Sequence, residues 1–151
     1  MHLYETHIPV ANTAIAEKFY REVVGLPFAH RDATRDIVFL WAETKAKAMI
    51  GLWGPGTVYG RRDGTAVNCH IAFAMSLDEL LAAIVKLRKR GIFTIGFGGE
   101  ETAEPSVIGW MPSAQIYFRD PDGHVVEFIT ILPEQPIADF VGTYSPWKPR
   151  G

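Results

Sequence analysis

The chain has 151 residues, 48% hydrophobic and 21% charged, with 15 basic side chains against 17 acidic and a net charge of −2. These values predict a soluble globular protein of one domain, or of two small modules, and argue against a nucleic-acid surface or attraction to anionic lipid. No apolar run approaches the roughly 20 residues that span a bilayer, no leader peptide is expected, and the single Cys69 excludes an internal disulfide and fits a reducing, cytoplasmic setting as a buried strand residue.

Residues 3–10 form the first predicted strand and carry Thr6-His7-Ile8-Pro9-Val10. A helix follows, with Thr13 as its N-cap, apolar Ile15, Phe19 and Val23 at steps of four, and Gly25 as its stop. Three strand-like stretches come next, at residues 28–31, 37–41 and 47–53. From Gly54 to Gly64 the composition is that of a turn-rich linker. Cys69-His70-Ile71-Ala72-Phe73 then echoes the first strand, with its histidine 63 positions after His7. Its helix opens on the capping box Ser76-x-x-Glu79, presents Leu80, Leu81, Ile84 and Leu87, and stops at Gly91. The caps Thr13 and Ser76 are also 63 apart, a second feature of one repeat. Strands at residues 93–97, 115–118 and 124–131 complete the second copy, the last two joined by the turn Asp120-Pro121-Asp122-Gly123. Residues 96–112 are expected to be an irregular loop; Gly96-Phe97-Gly98-Gly99 is followed by no helix and is not a dinucleotide fingerprint.

The pattern is β-α-β-β-β, twice, an α+β fold. Its modules span residues 1–56 and 66–132, separated by a linker at 57–65. A module of about 60 residues buries little apolar surface alone, so the two must pair, edge to edge or face to face. The tail, residues 133–151, carries Ile137, Phe140, Val141, Tyr144 and Trp147. It is too apolar to be a solvated extension and should pack on the domain or on a dimer partner.

Strand alternation sorts the side chains that carry chemistry. His7 shares a face with Glu5, opposite Ile8 and Val10; His70 shares one with Asn68, Ala72 and Ala74, opposite Ile71, Phe73 and Met75. Glu127 stands in the apolar run Val125-Val126-Glu127-Phe128-Ile129, where a carboxylate is costly unless paired or bound to a cation. Singly, each residue has an ordinary explanation: a hydrogen-bonded core histidine, or a glutamate paired with an arginine. Together, two imidazoles at equivalent repeat positions and one carboxylate point to a divalent metal site with open positions for substrate.

These features, with Asp120-Pro121-Asp122-Gly123-His124-x-x-Glu127 near the end, resemble the vicinal oxygen chelate superfamily of glyoxalase I, fosfomycin-resistance enzymes, extradiol dioxygenases and bleomycin-binding proteins. The resemblance runs to about Leu132. It implies a cleft-shaped, eight-stranded mixed sheet with helices outside, usually in a homodimer. It also implies one divalent ion (Zn, Mn, Fe, Ni or Co) on His7, His70 and Glu127. Gly51 stands where the second copy has Glu127, so the second glutamate of a four-ligand glyoxalase I, which acts as its base, is absent; Gly51→Glu is expected to restore a trace of that isomerisation if the cavity admits the thiol adduct. Residues 105–113 hold no basic side chain, which points away from an anionic phosphonate substrate. By the same pairing Trp41 is the counterpart of Tyr117, and Phe39, Trp41, Trp53, Gln115 and Tyr117 are expected to wall an aromatic cavity or to fill the core. The resemblance thus implies a metal-dependent enzyme whose ion acts as a Lewis acid on a small oxygen-bearing substrate. A ferrous extradiol-type dioxygenase and a non-catalytic, bleomycin-resistance-like binding protein are the alternatives.

Overall fold

The computed structural model describes residues 1–43, 47–60 and 68–147. Residues 61–65 of the expected linker, 66–67 of the second module and 148–151 of the tail lie outside the described residues. Two compact units result: residues 1–69 with 120–124, and residues 70–119 with 125–151.

The first unit contains β1 (Glu5–Pro9), α1 (Thr13–Phe19), β2 (Phe28–Asp32), β3 (Ile37–Trp41) and β4 (Met49–Trp53). Its sheet has the order β1-β4-β3-β2, with β1 parallel to β4 and the other pairs antiparallel. Ile8, Val38, Leu40, Ile50 and Leu52 are buried on alternate positions of β1, β3 and β4 and form the core under α1. The cap of α1 is Asn12, not Thr13: the Asn12 side chain accepts from the backbone N–H groups of Ala14 and Ile15. Thr13 is instead buried and donates its hydroxyl to Asp36 at 2.6 Å. The buried stripe is Thr13, Ala16 and Tyr20, whereas Ile15 is 56% exposed. That stripe follows ordinary helical spacing of three and four, which puts Ile15 on the outer side, and a π-helical turn at Tyr20–Val24 continues the helix after Phe19. Gly25 ends it at φ 94°, a conformation that suits glycine.

The second unit contains β5 (His70–Ala74), α2 (Leu77–Lys89), β6 (Ser106–Ile108), β7 (Ser113–Arg119), β8 (Val125–Ile131), β9 (Val141–Thr143) and α3 (Tyr144–Trp147). The strand order is β5-β8-β7-β6-β9, again with the first pair parallel. Both halves of the Ser76–Glu79 capping box are present, and Leu80, Ala83, Ile84 and Leu87 are buried on the side of α2 that meets β7 and β8. Residues 93–97 are not a strand; only Ile95 bridges, to Tyr117 and Glu101. The missing strand is β6, inside the stretch expected to be loop, where Val107 is fully buried and pairs with Ala114. The tail folds on its own unit: β9 adds to β6, and Tyr144 and Trp147 are buried. Among the described residues there are thus two sheets, of four and five strands, in place of the single eight-stranded sheet expected. Among the described residues no helix is long and apolar enough to cross a membrane.

Candidate metal centre

In the second unit the pairing of β5, β8 and β7 sets the geometry. Glu127 lies opposite Ala72 on one side and Tyr117 on the other, and His70 is two residues before Ala72 on the same face. His70 reaches diagonally, and its Nε2 lies 2.8 Å from Glu127 Oε2. The Glu127 side chain is only 8% exposed, while that of His70 is 54% exposed. Burial raises the Glu127 carboxyl pKa, and its hydrogen bonds to His70 and Tyr117 offset part of that rise. The Tyr117 hydroxyl is pushed well above its ordinary range, first by burial and then by the Glu127 charge. Gln115 is fully buried and pulls Tyr117 slightly the other way, although neither of its amide atoms has a hydrogen-bond partner of ordinary geometry. At 2.8 Å the contact is an ordinary hydrogen bond, and an imidazole with a carboxylate is the donor chemistry that divalent cations take. A cavity of about 390 Å³ adjoins His70, walled by Phe97 and Tyr117 and edged by Arg119 and Val125.

His7, in the first unit, has different surroundings. It pairs with Gly51, and its Nε2 bonds Glu5 Oε1 at 3.0 Å on its own strand. Its ring forms one cluster with those of Trp53 and Tyr59, with centroids 4.7 and 4.9 Å away. Gly51 is not an open slot: a Cβ there would lie 2.7 Å from Trp53 Nε1, 3.0 Å from His7 Cδ2 and 3.2 Å from Phe39 Cε1. The register explains why. His7 pairs with Gly51 and His70 with Val125, so, counted from the histidines, the place of Glu127 is taken by Trp53. One histidine has a carboxylate from the neighbouring strand and the other an indole. On the same count Ile37, which pairs with Trp53 as Tyr117 pairs with Glu127, replaces Trp41 as the counterpart of Tyr117. Trp41 pairs with Met49 and joins neither cluster among the described residues.

A third group was not anticipated. Potential ligand atoms of Asp120, Asp122 and His124, all in the first unit, lie within 4.8 Å of one another. Their bonds are structural. Asp120 accepts from the backbone N–H groups of Asp122 and His124 and from the Tyr20 hydroxyl. Asp122 accepts from Ala11 N–H. His124 Nδ1 accepts from Cys69 N–H at 3.0 Å, so its Nε2 carries the proton and donates to the Pro9 carbonyl at 2.7 Å. With both ring nitrogens engaged, His124 can bind a cation only by giving up one of these bonds. Cys69 itself precedes β5 and is half-buried, and burial pushes its thiol pKa up.

The model of the Glyoxalase/Bleomycin resistance protein/Dioxygenase superfamily matches residues 2–128, and the chain belongs to that superfamily. Among solved structures it is similar to the integron cassette protein HFX_CASS4 from the mobile metagenome of the Halifax Harbour sewage outfall. They share 25% identity, with 86% of this chain and 98% of that one covered and a TM-score of 0.70. The lactoylglutathione lyase from Agrobacterium tumefaciens matches at 20% identity, over 85% and 92% of the two chains, with a TM-score of 0.63. A glyoxalase/dioxygenase from Nostoc punctiforme matches at 18% identity, over 88% and 92%, with a TM-score of 0.62. These last two likenesses speak to the fold alone. No curated protein matches the chain.

Sequence reasoning missed Tyr59, Phe97 and Arg119. Arg119 was in principle accessible, because it stands two residues after Tyr117 on one strand and so shares its face. Tyr59 and Phe97 are held by turns, where no periodicity reports direction.

Proposed function

We propose that this protein is a metal-dependent enzyme that acts on a small substrate offering oxygen atoms to the ion. The observation that carries the proposal is the His70–Glu127 pair, 2.8 Å apart beside a cavity of about 390 Å³. His7 enters as the third ligand from the family pattern and not from geometry. The donor set of imidazole and carboxylate suits Zn, Mn, Fe, Ni or Co. When bound, such an ion supplies Lewis acidity toward substrate oxygens. The chain's own residues do the rest: Tyr117 holds the Glu127 carboxylate from the side opposite β5, and Phe97 and Tyr117 provide apolar walls. The test is a calorimetric titration of the metal-free protein with each ion. One ion per chain is expected, with loss of binding in His70→Ala and an unchanged circular dichroism spectrum. Full occupancy in His70→Ala contradicts the assignment.

We also propose a homodimer in a reducing, cytoplasmic setting. Ile131 and Val141 lie in one row of the second sheet, joined through Ser113 and Ile108, and both are 66% exposed. Apolar side chains so placed support a covering partner. A monomer mass by light scattering at micromolar concentration overturns this part.

A further inference from the structure

Exposed apolar side chains concentrate at one end of the second sheet. The turn at residues 109–112 carries Trp110, and backbone hydrogen bonds hold it between two other segments. On one side Leu132 N–H donates to the Pro112 carbonyl at 2.8 Å. On the other, Gly109 N–H donates to the Phe140 carbonyl at 2.8 Å, and Ile137 N–H to that of Gly109 at 3.0 Å. Glycine permits this approach, because a Cβ at Gly109 would lie 2.3 Å from the Ile137 carbonyl oxygen and 2.7 Å from Phe140 Cβ. Trp110, Ile131, Ile137 and Val141 are thereby gathered in one neighbourhood. Each is more than half exposed, Trp110 at 64%. The tail that carries two of them is folded in place, since β9 pairs with β6 and Trp147 beyond it is buried.

At that exposure Trp110 presents roughly 100–160 Å², out of the 150–250 Å² that such a ring can bury. With the three aliphatic residues the patch reaches roughly 200–400 Å². That is roughly a quarter to a half of the ~800 Å² that each partner gives to a stable interface, the share of a desolvated centre within a polar rim. Charge decides which partner fits. Residues 105–118, 128–133 and 140–147 contain no charged side chain, and the two charges between the last two segments, Glu134 and Asp139, have the same sign. Both are acidic, which disfavours a nucleic acid, an anionic lipid surface or an acidic peptide. A neutral apolar surface is complementary to its own copy across a two-fold axis.

We propose that Trp110 anchors a two-fold interface between two copies of this chain, with the indole of each copy seated on the apolar patch of the other. The proposal rests on the homodimer reading above and gives it a surface and a central residue. A tryptophan within a small apolar patch is a common form of interface hot spot, and in a two-fold interface each substitution acts twice.

The experiment is sedimentation equilibrium of the full chain beside three variants, each checked for an unchanged circular dichroism spectrum. The parent is expected to be a dimer at micromolar concentration. Trp110→Glu should raise the dissociation constant about 1000-fold, from roughly 30-fold per hot-spot residue counted twice. Trp110→Phe should keep part of the affinity. Val85→Glu, at a similarly exposed apolar position on α2 outside the patch, should leave the dimer intact. Dilution of the parent through its dissociation constant should also shift tryptophan emission to the red, and Trp110→Phe should lose that shift. A parent dimer that Trp110→Glu leaves intact overturns the assignment of the surface while the homodimer reading stands. A monomeric parent overturns both. Equal dissociation by Val85→Glu overturns the proposal as well, because association would then not depend on this patch.

Discussion

Replacing Gly51 with alanine tests whether the half-site around His7 is closed by packing. The glycine is not among those at positive φ, so its backbone suits alanine, and relief of glycine's entropy should by itself favour the variant by roughly 0.5–1 kcal/mol. Against that, the new Cβ would sit 2.7 Å from Trp53 Nε1 and 3.0 Å from His7 Cδ2, both under ordinary contact distance. Trp53 is 8% exposed and packed against His7 and Tyr59, so its ring has little room to yield. Overpacking of this kind costs about 1–3 kcal/mol, and a 2.7 Å contact with a rigid indole belongs to the upper half of that range, which leaves a net loss near 1–2 kcal/mol. For a chain of this length that is roughly 2–8 °C in Tm. Urea unfolding followed by far-ultraviolet circular dichroism measures it without relying on the tryptophan itself. Pairing the variant with Trp53→Phe should recover about 0.5–1.5 kcal/mol relative to additivity, because the clash is with the indole. A neutral or stabilising Gly51→Ala, or strict additivity with Trp53→Phe, refutes the packing argument. The same geometry corrects the expectation for Gly51→Glu, which should unfold the pocket around His7 and not install a second ligand.

Ser76→Ala should cost about 1 kcal/mol by removing the cap of α2. Hydrogen bonds from Ser76 hold the Glu79 carboxyl below its usual range, so that contribution is present above the ordinary carboxylate pKa and fades as pH falls through the lowered folded value. Denaturant midpoints of the two proteins should accordingly draw closer in acid, while the bond from Glu79 N–H to the Ser76 hydroxyl keeps them apart. Tyr20→Phe removes one donor from the buried Asp120 and should cost roughly 1.5–3 kcal/mol in equilibrium unfolding. Glu127 has the opposite sign: its folded pKa is raised, so the metal-free protein loses stability as pH climbs above the unfolded carboxylate value. Glu127→Gln should therefore be more stable than the parent at pH 7 and similar at pH 4, and a parent that leads at both values contradicts the burial argument. Hemithioacetal isomerisation should stay at background in the metal-loaded protein, because Trp53 occupies the place of the second carboxylate.

The parts of the structure that were legible in the sequence are those set by local chemistry. Period-two alternation placed His7 with Glu5 and His70 with Ala72, and a carboxylate alone in an apolar strand marked Glu127. The Ser76–Glu79 box marked the start of α2 because both partners of the reciprocal bond are within one turn. Asn12 and Thr13 are adjacent and both able to cap; only the tertiary bond from Thr13 to Asp36 decides between them. Strand register is likewise a tertiary quantity. Aligning the copies by sequence put Gly51 on Glu127, whereas the parallel pairing of β1 with β4 puts Trp53 there. β6 is three residues long with one buried valine, too short for any period to show.

The most direct test follows the side-chain nitrogens of the five histidines by ¹⁵N NMR as Zn²⁺ is added to one equivalent. Nε2 of His70 is expected to move to the metal-bound range while both nitrogens of His124 keep the pattern of a neutral ring bonded to Cys69 and Pro9. A shift at His124, with His70 unchanged, would place the ion at Asp120 and Asp122 and contradict the assignment of the metal to His70 and Glu127.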